Sequence, residues 1–121
     1  MDKNLIFYSA RLFEAWRYTV NHRQLLLRSN KTEDLSTRIE VLFKDVDFMA
    51  LPPAMRGLRV TKCDMATEGL LAALPEISSS KPWYRIEADR LVGYVAAGAV
   101  LINEDELSYN EASPLISSST I

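Results

Sequence analysis

Residues 16–29 read W-R-Y-T-V-N-H-R-Q-L-L-L-R-S. Trp16, Tyr18 and Val20 share one parity and Ala15, Arg17 and Thr19 the other, the period of two that a half-buried strand requires. With Asn21 and His22 as the central residues of a tight turn, Tyr18 falls opposite Leu25 and Trp16 opposite Leu27 on one face. On the other face Thr19 meets Gln24, Arg17 meets Leu26 and Ala15 meets Arg28. That register separates an apolar face from a mostly polar one, and a slip of one residue would mix them. Two-residue hairpin turns favour positive φ at their centre, and Asn and His are among the non-glycine residues that enter the left-handed region most readily. His22, the chain's single histidine, is therefore predicted at an exposed corner, not in a catalytic centre.

Working outward, S-N-K-T-E-D-L-S-T has loop composition. R-I-E-V-L-F-K then places Ile39, Val41 and Phe43 on one face and Arg38, Glu40 and Lys44 on the other, with Leu42 interrupting the polar side. Val46 and Phe48 continue the alternation with opposite parity. A parity change inside one extended run predicts a bulge or sharp bend near Lys44-Asp45, and bent strands let a sheet curl. Leu51-Pro52-Pro53 interrupts the ladder, because proline has no N–H to donate. Arg56-Gly57 reads as the next corner, and L-R-V-T-K as a strand with Leu58 and Val60 inward. Thr67–Leu74 has room for a helical turn or two before Pro75, although Gly69 weakens it by about 1 kcal/mol relative to alanine. W-Y-R-I-E-A and V-G-Y-V-A-A-G-A-V-L-I read as a terminal strand pair joined by Asp89-Arg90. The second is apolar on both faces, which means a buried central strand or an oligomer contact. A buried helix has the same pattern over Leu91–Ile102, but two glycines and three valines favour a strand. Gly93, Ala96, Ala97, Gly98 and Ala99 are small, as needed where another layer approaches closely.

The expected fold is mainly β: an antiparallel roll or partly open barrel of six to eight short strands, with at most one short helix. A chain of 121 residues is one domain by length. Residues 1–110 are assigned to that domain and 111–121 to a polar, frayed C-terminal tail.

Composition narrows the function classes. The 48% apolar and 25% charged shares are those of an ordinary globular protein. The apolar runs are shorter than the roughly 20 residues of a membrane helix, and Leu5–Tyr8 is shorter than the roughly 7–15 apolar residues of a signal peptide. Membrane association is not expected. A single cysteine, Cys63, allows no internal disulfide and suits the reducing cytoplasm. One His and one Cys also remove the zinc motifs built from pairs of either, and no cofactor is implied. The net charge of −2 gives no global attraction to nucleic acid. Residues 1–62 nevertheless carry eleven Lys/Arg against seven Asp/Glu, whereas residues 63–121 carry three against nine. Either the halves pack and neutralise each other, or they form a basic and an acidic face, each open to a partner.

Four constellations have the residue types for a site. Asp45 and Asp47, one residue apart on a strand, share a face, and such a pair can bind a cation or hold a shared proton. Glu104, Asp105 and Glu106 form the densest acidic cluster, but the sixth residue from Asn103 is Ser108, where a calcium loop needs glycine. Arg17, Arg28 and Arg38 gather on the polar face of the first strands. They form an anion or partner surface, with Leu26 and Leu42 exposed among the arginine stems. Trp16 and Tyr18 point to the opposite face, so base stacking cannot share that platform. His22 and Cys63 have no spacing that suggests a nucleophilic dyad. Trp83-Tyr84 reads as core sooner than pocket lining. No G-x-S-x-G, H-E-x-x-H or phosphate-cradling glycine loop is present.

Y-T-V-N-H-R-Q-L-L-L-R-S, T-R-I-E-V-L-F-K-D-V and L-P-P-A-M-R-G-L-R-V together resemble a family of small uncharacterised bacterial proteins whose hairpin reads nearer V-S-H-G-Q-L-L-L-R-S. Arg28, Arg38 and Gly57 match, while Asn21 and Arg23 depart. The likeness covers roughly residues 16–60 and implies bacterial origin without an activity. A hairpin followed by a bent strand is also similar to bacterial pleckstrin-like domains. Those end in an amphipathic helix, where this chain has Pro114 and a serine run.

The expectation is a non-enzymatic, cytoplasmic protein-binding domain of adaptor or immunity type, taking a protein partner or a second copy through Arg17, Leu26, Arg28, Arg38 and Leu42. The alternatives are a small enzyme using Asp45/Asp47 or Glu104–Glu106, and an anionic-ligand or RNA binder using Arg17, Arg28 and Arg38.

Overall fold

The computed structural model describes residues 3–64, 79–90 and 92–116. The helical turn expected over Thr67–Leu74 lies outside them. Six strands form a closed antiparallel barrel: β1 (Leu5–Thr19), β2 (Gln24–Ser29), β3 (Arg38–Ala50), β4 (Ala54–Cys63), β5 (Trp83–Glu87) and β6 (Val92–Asp105). Around the barrel the order is β1-β2-β3-β6-β5-β4, with β4 closing on β1. The helical element among the described residues is the 3-10 turn Asn21–Arg23. No helix among the described residues is long and apolar enough to cross a membrane.

The hairpin pairs Tyr18 with Leu25, Thr19 with Gln24 and Arg17 with Leu26, as the alternation requires. Its turn differs from the expected conformation. Arg23 N–H donates to the Val20 carbonyl at 3.2 Å, and the left-handed residues are His22 (φ 66°) and Arg23 (φ 44°), not Asn21. His22 is exposed at this corner. Beyond Arg17 the register shifts, so that Ala15 meets Leu27 and Glu14 meets Arg28. The expected Trp16–Leu27 pair is thereby corrected: the extra residue is Trp16, and a bulge moves it to the outer face.

The parity change in β3 is real. Asp45 takes φ 56°, and the register against β6 slips between Val46 and Phe48. Ile39, Val41, Phe43 and Val46 all enter one core with Phe13, Leu25, Leu27, Leu58 and Val60. Leu91–Ile102 resolves as strand over its described part, with Val95, Ala96 and Ala97 buried. Gly93 is small for a local reason, since a Cβ there would clash with the Ala50 carbonyl oxygen. Tyr84 lies in the core. Trp83 packs outside it with Phe48, Cys63 and Ala96. Arg56-Gly57 is not a corner: β4 runs through it, with Gly57 at φ 81° inside a bulge opposite Ala10 and Arg11.

Candidate functional site

The five residues expected to form an open partner surface are separated by burial. Arg17 is exposed, but Leu26, Arg28, Arg38 and Leu42 are each at most 3% exposed. The expectation of exposed leucines among arginine stems is corrected, because the chain covers that face itself. Residues 106–116 cross the outer side of β2 and β3, including 111–116, expected as frayed tail. Arg28 Nη1 donates to the Tyr109 carbonyl at 2.8 Å. Arg38 Nη1 donates to the carbonyls of Ser108 and Glu111 at 2.9 and 2.7 Å. Beneath the strap, Glu40 accepts from Arg28 Nε at 2.8 Å and from Ser113 Oγ at 2.7 Å. Asp105 Oδ1 lies 3.3 Å from Arg38 Nε, although that Nε lacks hydrogen-bond geometry. Two buried guanidiniums thus face two carboxylates and a row of backbone carbonyls, an arrangement that binds this chain's own residues 108–113. Trp16 lies on the same face, 4.7 Å from the Arg28 guanidinium carbon, so the expected separation of aromatic and arginine faces is also corrected.

The carboxylate pair Asp45/Asp47 is held by cations. Lys81 Nζ lies 2.9 Å from Asp45 Oδ2 and 2.8 Å from Asp47 Oδ1. Arg23 reaches the same two residues at 3.0 and 3.3 Å, and Ser79 Oγ donates to Asp47 at 2.7 Å. Hydrogen bonding from Lys81 is the chief cause holding both carboxyls below their ordinary value of 3.8. A shared proton or a general acid needs the opposite shift. Glu104 accepts from Thr37 Oγ1 at 2.6 Å, Asp105 from Asn103 Nδ2 at 2.8 Å, and the Glu106 carbonyl from Lys31 Nζ at 2.7 Å. The contacts to Thr37 and Lys31 fasten the β6 end and the strap to the β2–β3 loop. His22 and Cys63 are separated by the length of β1: His22 follows its end, whereas Lys62, beside Cys63, bonds to Asn4 before its start. Among the described residues no group of three His, Cys, Asp or Glu side chains is placed to hold a metal ion.

The outer face of β1 is open, and Met49 on β3 and Val92, Leu101 and Ile102 on β6 are exposed as well. Phe7 and Phe13 point into the barrel, their rings 5.8 Å apart. Tyr8 and Leu12 therefore point out, and are 56% and 42% exposed. Leu5 and Ile6 at the start of the strand and Trp16 near its end are also exposed. Beside Tyr8 and Ala10 lies a cavity of about 460 Å³ whose lining includes Arg56, Gly57, Arg59, Glu87 and Asp89. Sequence reading missed this region. Leu5, Ile6, Phe7 and Tyr8 are apolar on both parities, so they carry no strand period. The Gly57 bulge was the available signal.

Comparison with family models, with curated proteins and with solved structures finds no match for this chain.

Proposed function

We propose that this chain is a non-enzymatic interaction domain, acting in a reducing compartment such as the bacterial cytoplasm, that docks a different protein on the outer face of β1. The observation that carries the reading is the uncovered apolar row of Tyr8 and Leu12, flanked by Leu5, Ile6 and Trp16. Contiguous apolar surface of this kind marks partner sites on folded proteins. The contrast with β2 and β3 adds support, since there the chain covers its own outer leucines.

Charge supports a different protein over a second copy. Arg17, Arg56 and Arg59 border the row, with Glu14 as the acid on β1. A two-fold dimer sets the same patch against itself, and the acid that β1 then offers to the three arginines of the other copy is Glu14. A partner with an apolar centre and an acidic rim fits instead. Sedimentation of the chain alone at micromolar concentration tests this choice. A monomer is expected; a dimer that Leu12→Asp dissociates would overturn it.

A further inference from the structure

We propose that the cavity between β1, β4 and the β5–β6 turn receives a single carboxylate from the protein partner, so that the docked segment is acidic; this rests on the reading of β1 as a docking face. The bulge builds the site. In a regular strand, residues three apart point to opposite sides. The left-handed Gly57, φ 81°, resets the alternation, so Arg56 and Arg59 both line the same outer cavity. Arg59 lies 4.9 Å from the centroid of the Tyr8 ring, a contact that orients the guanidinium and leaves its charge in place. Among the described residues neither Arg56 nor Arg59 has a carboxylate within ion-pair distance.

The acids of the cavity set the charge of its guest. Glu87 is paired with Arg85 at 3.2 Å. Asp89 is fixed by its backbone N–H, which donates to the Arg56 carbonyl at 3.1 Å. Two unpaired guanidiniums against one remaining carboxylate leave room for one negative charge. That balance fits a carboxylate and disfavours a run of phosphates, which would meet Asp89 and Glu87. A forked guanidinium also matches the planar geometry of a carboxylate.

A partner supplies a carboxylate from an acidic side chain or from its C-terminus, and two probes separate these sources. An acetylated and amidated Gly-Ser hexapeptide carrying one central Glu, and an acetylated Gly-Ser hexapeptide with a free C-terminus, are titrated into the isotope-labelled full chain, and amide resonances are followed. Shifts at Gly57, Arg59 and Asp89 with the first peptide assign a side-chain carboxylate, and with the second a chain terminus. In the Arg56→Gln/Arg59→Gln chain the affinity is expected to fall at least about tenfold. Asp89→Asn, which removes the competing charge, is expected to tighten binding, and it carries the test should the double variant fail to fold. Neither peptide shifting those amides, or equal affinity across wild type and variants, would overturn the assignment. If the peptides fail while Leu12→Asp still releases a partner, the carboxylate site falls and the docking face stands.

Discussion

Asp45 has a left-handed backbone at a bend and a side chain between two cations. The bend was legible because the apolar parity changes between Phe43 and Val46. The partners were not, since Lys81 stands 34 residues beyond Asp47 and no local pattern announces so distant a contact. The folded pKa values of Asp45 and Asp47 lie below the unfolded ones. Their contribution to stability is therefore complete above about pH 4 and is lost as pH falls through the depressed values. Lys81 is raised above its ordinary 10.5, chiefly by its hydrogen bond to Asp47. Its contribution is complete below that value and is lost as pH rises through the raised one. The cluster is exposed to solvent, so salt weakens it. Lys81→Met is expected to move both aspartate titrations upward, as read from side-chain carboxyl resonances. Unchanged titrations would remove Lys81 as their cause.

At the scale of elements, β2 and β3 matched their pattern inward and departed from it outward. Their inner residues followed from a period of two. Their outer face carries Leu26, Arg28, Arg38, Glu40 and Leu42, and the sequence does not say what covers it. The strap that does so, residues 106–116, has no strand period; it reads as a polar, acidic stretch and, from residue 111, as frayed tail. It docks through backbone carbonyls that accept from Arg28 and Arg38, and those carbonyls are common to every residue type. Glu40 is the hub of that contact and is fully buried. Glu40→Ala leaves two buried guanidiniums short of a counter-charge, and is expected to lower unfolding stability by about 3–5 kcal/mol. Urea denaturation measures it. A loss below about 1 kcal/mol would mean that water or the strap compensates, and that the pair does not hold the strap.

Across the whole molecule, a closed barrel followed from many short strands and one bent one, but closure itself depends on β1, whose first half was not recognised as strand. Its apolar outer face erased the alternation that would have revealed it, and the same face makes it a docking surface. The charge split between the halves is partly resolved by packing, since Arg38 of the basic half pairs with Asp105 of the acidic half. Arg17, Arg56 and Arg59 are among the basic residues beside the outer row of β1. The most direct test is quantitative capture from the lysate of the source cells with three chains: wild type, Leu12→Asp, and Leu101→Asp on the outer face of β6. All three are first checked for the same thermal transition. Proteins retained by wild type and by Leu101→Asp but depleted at least about tenfold by Leu12→Asp are the predicted result. A partner held equally by Leu12→Asp, or lost with Leu101→Asp instead, would contradict docking on β1.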